Sequence, residues 1–172
     1  MFNKNNITWK LAYLFAAFCV YLLDQATKTW AIRSVRFGGD REIIPSILNF
    51  VYAENSGVAF SQLQDGGDAG RYGLSAVAFV AAVFVLYYFW KVPRSQDKLL
   101  GGLALLLSGI LGNFTDRIRL GFVIDWIQFH YNDWYWPVFN IADSAICVGA
   151  ALLIWDLFFS KKEETETVEK EV

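Results

Sequence analysis

Between Tyr72 and Trp90 the chain reads YGLSAVAFVAAVFVLYYFW. The run has no charge and no polar stripe, so a helix built from it has no face to turn to water, as a soluble amphipathic helix does. Its length is close to the roughly 20 apolar residues that cross a bilayer. Three further runs have similar length: 11–32, 99–117 and 138–159. Each is apolar through most of its length and carries polar residues at one end. Four spans follow, and a soluble four-helix bundle is excluded by the second run.

The composition agrees. The 172 residues are 55% hydrophobic and 17% aromatic, with only 19% charged, against about 25% in ordinary soluble domains. Mean hydropathy is +0.32. The net charge of −2 lies in the tail KKEETETVEKEV, residues 161–172, and the rest of the chain is neutral. A neutral, aromatic-rich body has no basic footprint for nucleic acid. The fold class is a membrane all-α protein. Four transmembrane helices carry a small periplasmic β-like subdomain and an interfacial aromatic-rich loop. Residues 1–160 form one domain, and 161–172 read as a disordered cytoplasmic tail.

Leu11–Leu23 could open a cleaved signal peptide, but no small-x-small site follows it, so the helix is retained. Lys4 and Lys10, then Lys91, Arg94 and Lys98 in the short loop, then Lys161 and Lys162, place both termini inside. Outside lies a β-like run, Ile47–Ala53, ended by Asn55-Ser56-Gly57. Residues 61–71, SQLQDGGDAGR, read as a flexible turn; Asp65 and Asp68 there are solvated rather than a Ca²⁺ loop. Residues 121–137, rich in aromatics, are expected to lie along the interface. Cys19 and Cys147 are apolar filler within spans. With His130 the single histidine, neither a Ser-His-Asp triad nor a His-rich metal site is available.

Charged groups in a span cost about 2.5 to 3.5 kcal/mol on the gentler insertion scale. With the N-terminus inside, Asp24 and Lys28, then Asn113, Asp116 and Arg117, then Asp125, then Asn140 and Asp143 all converge on the outer face. Asp24 and Lys28, four apart, share a helix face and neutralise each other. Asp116 and Arg117 are adjacent and point to separate partners. Asp125 and Asp143 have no cation at helical spacing. Two carboxylates in a poorly hydrated site share a proton and supply an acid and a base together. Spacing alone leaves that dyad open against two interfacial aspartates.

At these residues the chain resembles the lipoprotein signal peptidases, or signal peptidase II. Asp24-Gln25-Ala26-Thr27-Lys28 is similar to the family's D-Q-x-[ST]-K, and Asn55-Ser56-Gly57-Val58-Ala59-Phe60 to N-x-G-[AV]-[AS]-F. Gly112–Arg117 is similar to G-N-x-x-D-R, Gly121–Trp126 to G-x-V-x-D-[FY], and Phe139–Ser144 to F-N-x-A-D-[AS]. Trp126 stands where Phe or Tyr is commoner, and Ser108 where a glycine often stands. The resemblance covers about residues 11–160. It implies an aspartic endopeptidase of the bacterial inner membrane, multi-pass, with its site at the periplasmic face. The implied catalytic pair is Asp125 and Asp143. Asn55, Asn113, Arg117 and Asn140 would bind substrate, with Asp24, Lys28, Gly57 and Asp116 in support. The implied substrate is a prolipoprotein whose Cys already carries diacylglycerol, cut just before that Cys. No metal or cofactor is implied, and membrane lipids are the remaining partners of a monomer. The alternatives from other classes are a small membrane transporter and a non-catalytic lipid-binding subunit.

Overall fold

The structure, a computed structural model, describes the backbone of residues 4–57 and 67–171 and the side chains of 8–57 and 70–159. Four long helices run in chain order. They are α1 (Lys4–Ala31), continued by a π-helical turn (Ile32–Arg36), then α2 (Gly67–Lys91), α3 (Asp97–Leu120) and α4 (Ile141–Glu171). Segments Gly70–Lys91, Asp97–Leu120 and Ile141–Phe159 are long and apolar enough to cross a membrane. Helix α1 is not among them, because Asp24, Gln25 and Lys28 interrupt its apolar run. Phe79, Val80 and Phe84 on α2 and Phe158 on α4 stay exposed to their surroundings, as a lipid-facing surface requires.

Helix α3 is the central post, with Leu100, Leu103, Ala104 and Leu107 buried against Ala17 of α1 and Ala82, Val85 and Phe89 of α2. Against α4 it packs backbone to backbone. A Cβ on Gly102 would lie 3.0 Å from the Gly149 carbonyl oxygen, and one on Gly149 would lie 2.7 Å from that of Gly102. Small residues let membrane helices approach this closely. Lys10 is buried and donates to the carbonyls of Phe89 (3.1 Å) and Trp90 (2.7 Å), orphan acceptors at the end of α2. Lys10 and Lys28, eighteen residues apart on one helix, sit about 27 Å apart, near the thickness of a hydrocarbon core.

At the Lys28 end stands a four-stranded antiparallel sheet in the order β1 (Arg41–Ile44), β2 (Leu48–Asn55), β3 (Val123–Tyr131), β4 (Trp134–Tyr135). The strand expected over 47–53 is β2. The aromatic stretch 121–137 is corrected: it forms β3 and β4, and β3 is a central strand. Its alternation explains this. Ile124 and Trp126 turn one way, into a cluster with Ala31, Trp30 and Phe50. The Trp126 ring meets Phe50 at 5.0 Å and Trp30 at 5.4 Å, both edge-on. Val123 and Asp125 turn the other way, and Asp125 meets Asn140 at the start of α4.

Three other boundaries shift. Residues 67–71, read as part of a flexible turn, open α2; the rest of that turn, 61–66, lies outside the described residues. The fourth helix begins at Ile141, not 138, because Phe139 pairs with β3, its N–H donating to Ile127 O at 3.0 Å. Helical backbone then continues to Glu171; the side chains of 161–172 lie outside the described residues.

Replacing Gly149 by Val should force α3 and α4 apart and cost about 1–3 kcal/mol, read as a lower midpoint of thermal unfolding in detergent. Gly73→Val, at a position with open space, should leave the midpoint unchanged.

Candidate active site

The short connection that pairs with β3 delivers Asn140 to the start of α4, beside Asp125. Asn140 is the N-cap residue. Its Oδ1 accepts the Asp143 N–H at 2.8 Å, while its own N–H donates to Asp143 Oδ2 at 3.2 Å. This reciprocal arrangement is a capping box with Asn and Asp in the two roles. Asn140 is fully buried. With its oxygen committed to the cap, its Nδ2 turns to Asp125 Oδ1 at 2.6 Å, and also reaches Asn113 Oδ1 (3.2 Å) and Ile124 O (3.3 Å). One residue therefore joins the two candidate catalytic carboxylates, Asp125 through its side chain and Asp143 through its backbone N–H.

Asp125 is 2% exposed. Its second oxygen accepts from Asn55 Nδ2 at 2.9 Å. Asn55 ends β2 and lies across the ladder from Val123, with Ala53 opposite Asp125. The chain then turns sharply: Gly57, at φ +83°, donates its N–H to Asn55 Oδ1 at 2.8 Å. Only glycine takes that φ without strain. Burial pushes the Asp125 carboxyl up to about 6. The charge of Asp143 adds to this; the hydrogen bonds from Asn55 and Asn140 and the charge of Lys28 oppose it. Asp143 is only half-buried, and its Oδ1 accepts from Asn113 Nδ2 at 2.7 Å.

Behind the carboxylates lies a buried ion cluster. Lys28, 1% exposed, places Nζ 2.9 Å from each of Asp24 Oδ2, Asp116 Oδ2 and Asn113 Oδ1. All three ammonium protons are thereby used. Asp24 Oδ1 takes the Ala142 N–H at 2.9 Å, an orphan donor in the first turn of α4. Asp116 Oδ2 takes the Ile124 N–H at 3.2 Å. Gln25 Nε2 bridges Asp24 Oδ2 (3.1 Å), Asp116 Oδ1 (3.0 Å) and Gly112 O (3.3 Å). Gly112 has to be glycine, since a Cβ there would stand 2.6 Å from Asp24 Oδ2.

Asp116 and the neighbouring Arg117 do go to separate partners. The Arg117 guanidinium stands in the field of Asp143 and Asp125. Its Nη1 reaches Asn113 O at 3.5 Å, and its buried Nε has no acceptor among the described residues. Arg117, Asn113 and Asp143 form the polar end of a cleft of about 320 Å³, whose other walls are Leu74, Val77, Ala78, Ala81, Ile110 and Ile146. A larger apolar groove between α1 and α3, about 410 Å³, contains none of the carboxylates.

The ten residues singled out from the sequence thus gather at one end of the bundle, as two connected groups. The sequence reading gave no role to Gln25, though it sits inside the D-Q-x-x-K motif. It also passed over Arg71, which donates through Nε to Arg117 O at 2.8 Å and through Nη2 to Ile118 O, closing the end of α3. Nothing in the local pattern around Arg71 marks that contact.

A sequence model of the family described as signal peptidase (SPase) II matches residues 16–159. The chain is similar to a lipoprotein signal peptidase of Teredinibacter turnerae, 42% identical over 160 residues, covering 93% of this chain and 95% of that one. It is likewise similar to the lipoprotein signal peptidase of Polynucleobacter necessarius, 44% identical over 147 residues, covering 84% and 88%. A solved structure described as a bacterial membrane enzyme, obtained by the in meso method at 2.3 Å, superposes with a TM-score of 0.77 at 29% identity, covering 88% and 90% of the two chains. A second, at 1.9 Å, gives 0.76 at 30% identity, covering 86% and 93%.

The folded chain holds the Asp125 proton more tightly than the unfolded chain, where the carboxyl titrates near 3.8. The stability this group contributes is complete below about pH 4 and is lost as pH rises through about 6. Thermal midpoints of the wild type and Asp125→Asn, compared from pH 4 to 8, should show the wild type losing ground to the variant across that window. A difference that stays flat would show that Asp125 does not titrate there.

Proposed function

We infer the mechanism from one premise: the chain belongs to the signal peptidase II family, the lipoprotein signal peptidases, and is a membrane peptidase that cleaves signal peptides from prolipoproteins. That premise sets aside the transporter and lipid-binding-subunit alternatives. Asp125 and Asp143 are proposed as the catalytic pair, and the observation that carries this is the single Asn140 side chain and its backbone joining both carboxylates.

The two environments divide the work. Asp143, in the first turn of α4, accepts a backbone N–H and lies at the positive end of the helix dipole. It faces Arg117 as well. It serves as the ionised base. Asp125, buried on β3 and pushed up to about 6, holds the shared proton and serves as the acid. Asp143 takes a proton from water as the water oxygen attacks the scissile carbonyl carbon. Asp125 gives its proton to the carbonyl oxygen. The tetrahedral intermediate collapses when Asp143 returns a proton to the leaving amine and Asp125 recovers one from the hydroxyl. The catalytic groups end as they began, and the reaction needs no covalent intermediate.

The cleft supports a lipidated substrate. Its apolar walls from α2, α3 and α4 suit a peptide and acyl chains that remain in the bilayer, and its polar end carries Asn113, Arg117 and Asp143. The Arg117 guanidinium, whose Nε has no acceptor among the described residues, has donors for a substrate backbone carbonyl. The proposed substrate is therefore a prolipoprotein already carrying diacylglycerol, cut before the modified Cys. The proposed setting is the bacterial inner membrane: four spans, α1 included, both termini in the cytoplasm, the site at the periplasmic face, and a monomeric enzyme.

The test is cleavage of a diacylglyceryl-modified prolipoprotein by the purified chain in lipid. Asp125→Asn and Asp143→Asn should each lower kcat by about 10²–10⁴-fold with substrate still bound, and a chelator should change nothing. Near-wild-type cleavage by both variants would reduce these residues to interfacial aspartates.

A further inference from the structure

Three asparagine side chains touch the two carboxylates, and in each the amide oxygen is held by a group that can only donate. Asn55 Oδ1 accepts the Gly57 N–H. Asn140 Oδ1 accepts the Asp143 N–H. Asn113 Oδ1 accepts from Lys28 Nζ at 2.9 Å. An ammonium and a backbone N–H have no acceptor capacity, so none of the three amides can turn over without setting donor against donor. Each NH₂ is thereby committed to a carboxylate oxygen: Asn55 and Asn140 to Asp125, Asn113 to Asp143. Two of the three clamps are backbone groups, supplied by a turn and a helix cap. The third is a side chain, 1% exposed, on a different helix.

We propose that Lys28 is a positioning residue for the peptidase reaction: by clamping Asn113 Oδ1 it fixes which end of the Asn113 amide meets Asp143, and so holds Asp143 in its acceptor orientation. The inference rests on the reading of Asp125 and Asp143 as the catalytic pair and gives Lys28 a task beyond neutralising Asp24 and Asp116. Lys28 touches neither Asp125 nor Asp143 among its described contacts; it acts through one amide. With the clamp gone, the bond left on Asn113 Oδ1 among its described contacts is the longer one from Asn140 Nδ2, at 3.2 Å; an Asn113 amide that turns over presents its oxygen to Asp143, which opposes two acceptors and pushes the carboxylate out of place. The groups that face this pair are Asp24 and Lys28 from α1, Asp116 and Arg117 from α3, and Asp125 from β3.

Removing Lys28 alone would strand two buried carboxylates, so the test uses a neutral background. Two triple variants carry Asp24→Asn and Asp116→Asn with either Lys28→Met or Lys28→Gln. Glutamine offers an N–H donor to Asn113 Oδ1, and methionine offers none. Each full-length enzyme is reconstituted in lipid and assayed on the diacylglyceryl-modified prolipoprotein, with a thermal melt to establish folding and Asp143→Asn alongside. The expected result is a split. The folded Met variant loses about a hundredfold in kcat at unchanged KM, and the Gln variant recovers most of it. Equal turnover by the two folded variants, whether near wild type or near zero, overturns the proposal, because the donor would then not matter. Should the Met variant not fold, the Gln variant is compared with the single variant Asn113→Ala, which keeps Lys28 and removes the amide it clamps. A Gln variant near wild type beside an Asn113→Ala enzyme slowed about a hundredfold in kcat supports the relay, and any other pairing overturns it. Full activity of Asp143→Asn would remove the catalytic pair itself, an outcome separate from loss of the role of Lys28 alone.

Discussion

An ammonium group cut off from water has to have every proton accepted by protein. Lys28 meets that demand with Asp24, Asp116 and Asn113, each at 2.9 Å. Those partners come from α1 and α3, and the two carboxylates go on to hold the Ala142 N–H of α4 and the Ile124 N–H of β3. One buried charge thus registers three helices and the central strand. Effective desolvation costs several kcal/mol for each ion, and removing one partner of such a cluster typically costs about 3–5 kcal/mol. The cluster is therefore poor as a source of net stability and effective as a constraint, since a shifted docking of α1, α3, α4 or β3 leaves part of it unpaired.

The rest of the site follows from that registration. Asp24 on the first turn of α4 and the Asn140–Asp143 cap together satisfy the start of that helix. Because Asn140 must cap, Phe139 must pair with β3, and Asp125 comes within reach of the Asn140 amide. Strand alternation then separates the two duties of β3: Trp126 and Ile124 lock the sheet onto the end of α1, and Asp125 faces the helix cap. Gly102 and Gly149 bring α3 and α4 close enough for Asn113 to span from Lys28 to Asp143.

Much of this was legible in the chain. The Asp24–Lys28 pair is local, four residues apart on one helix, and its ion pair is found. The convergence of Asn113, Asp116, Arg117, Asp125, Asn140 and Asp143 on one end came from alternating the hydrophobic runs, a strong pattern. What stayed hidden depends on tertiary pairing. The aromatic run 121–137 has no polar alternation to declare a strand, because β3 is buried on both faces over Val123–Trp126. The start of α4 was set three residues early, because Val138 and Phe139 are as apolar as the helix they precede. Gln25 shares its amide among groups from two helices, a role no spacing along α1 reveals.

The choice of asparagine around the proposed acid and base has a physical logic. A cation in direct contact with both carboxylates would hold both ionised and leave no acid. An apolar wall would leave both protonated and no base. Neutral amides orient the oxygens without fixing the charge, so one proton can be shared and moved. The positive charge that sets Asn113 is kept one amide away and is itself outweighed by Asp24 and Asp116. What Lys28 passes on to Asp143 is then direction rather than charge. This is how a buried site, where an uncompensated charge is costly, can keep the two proposed catalytic aspartates joined through one residue and still give them different roles.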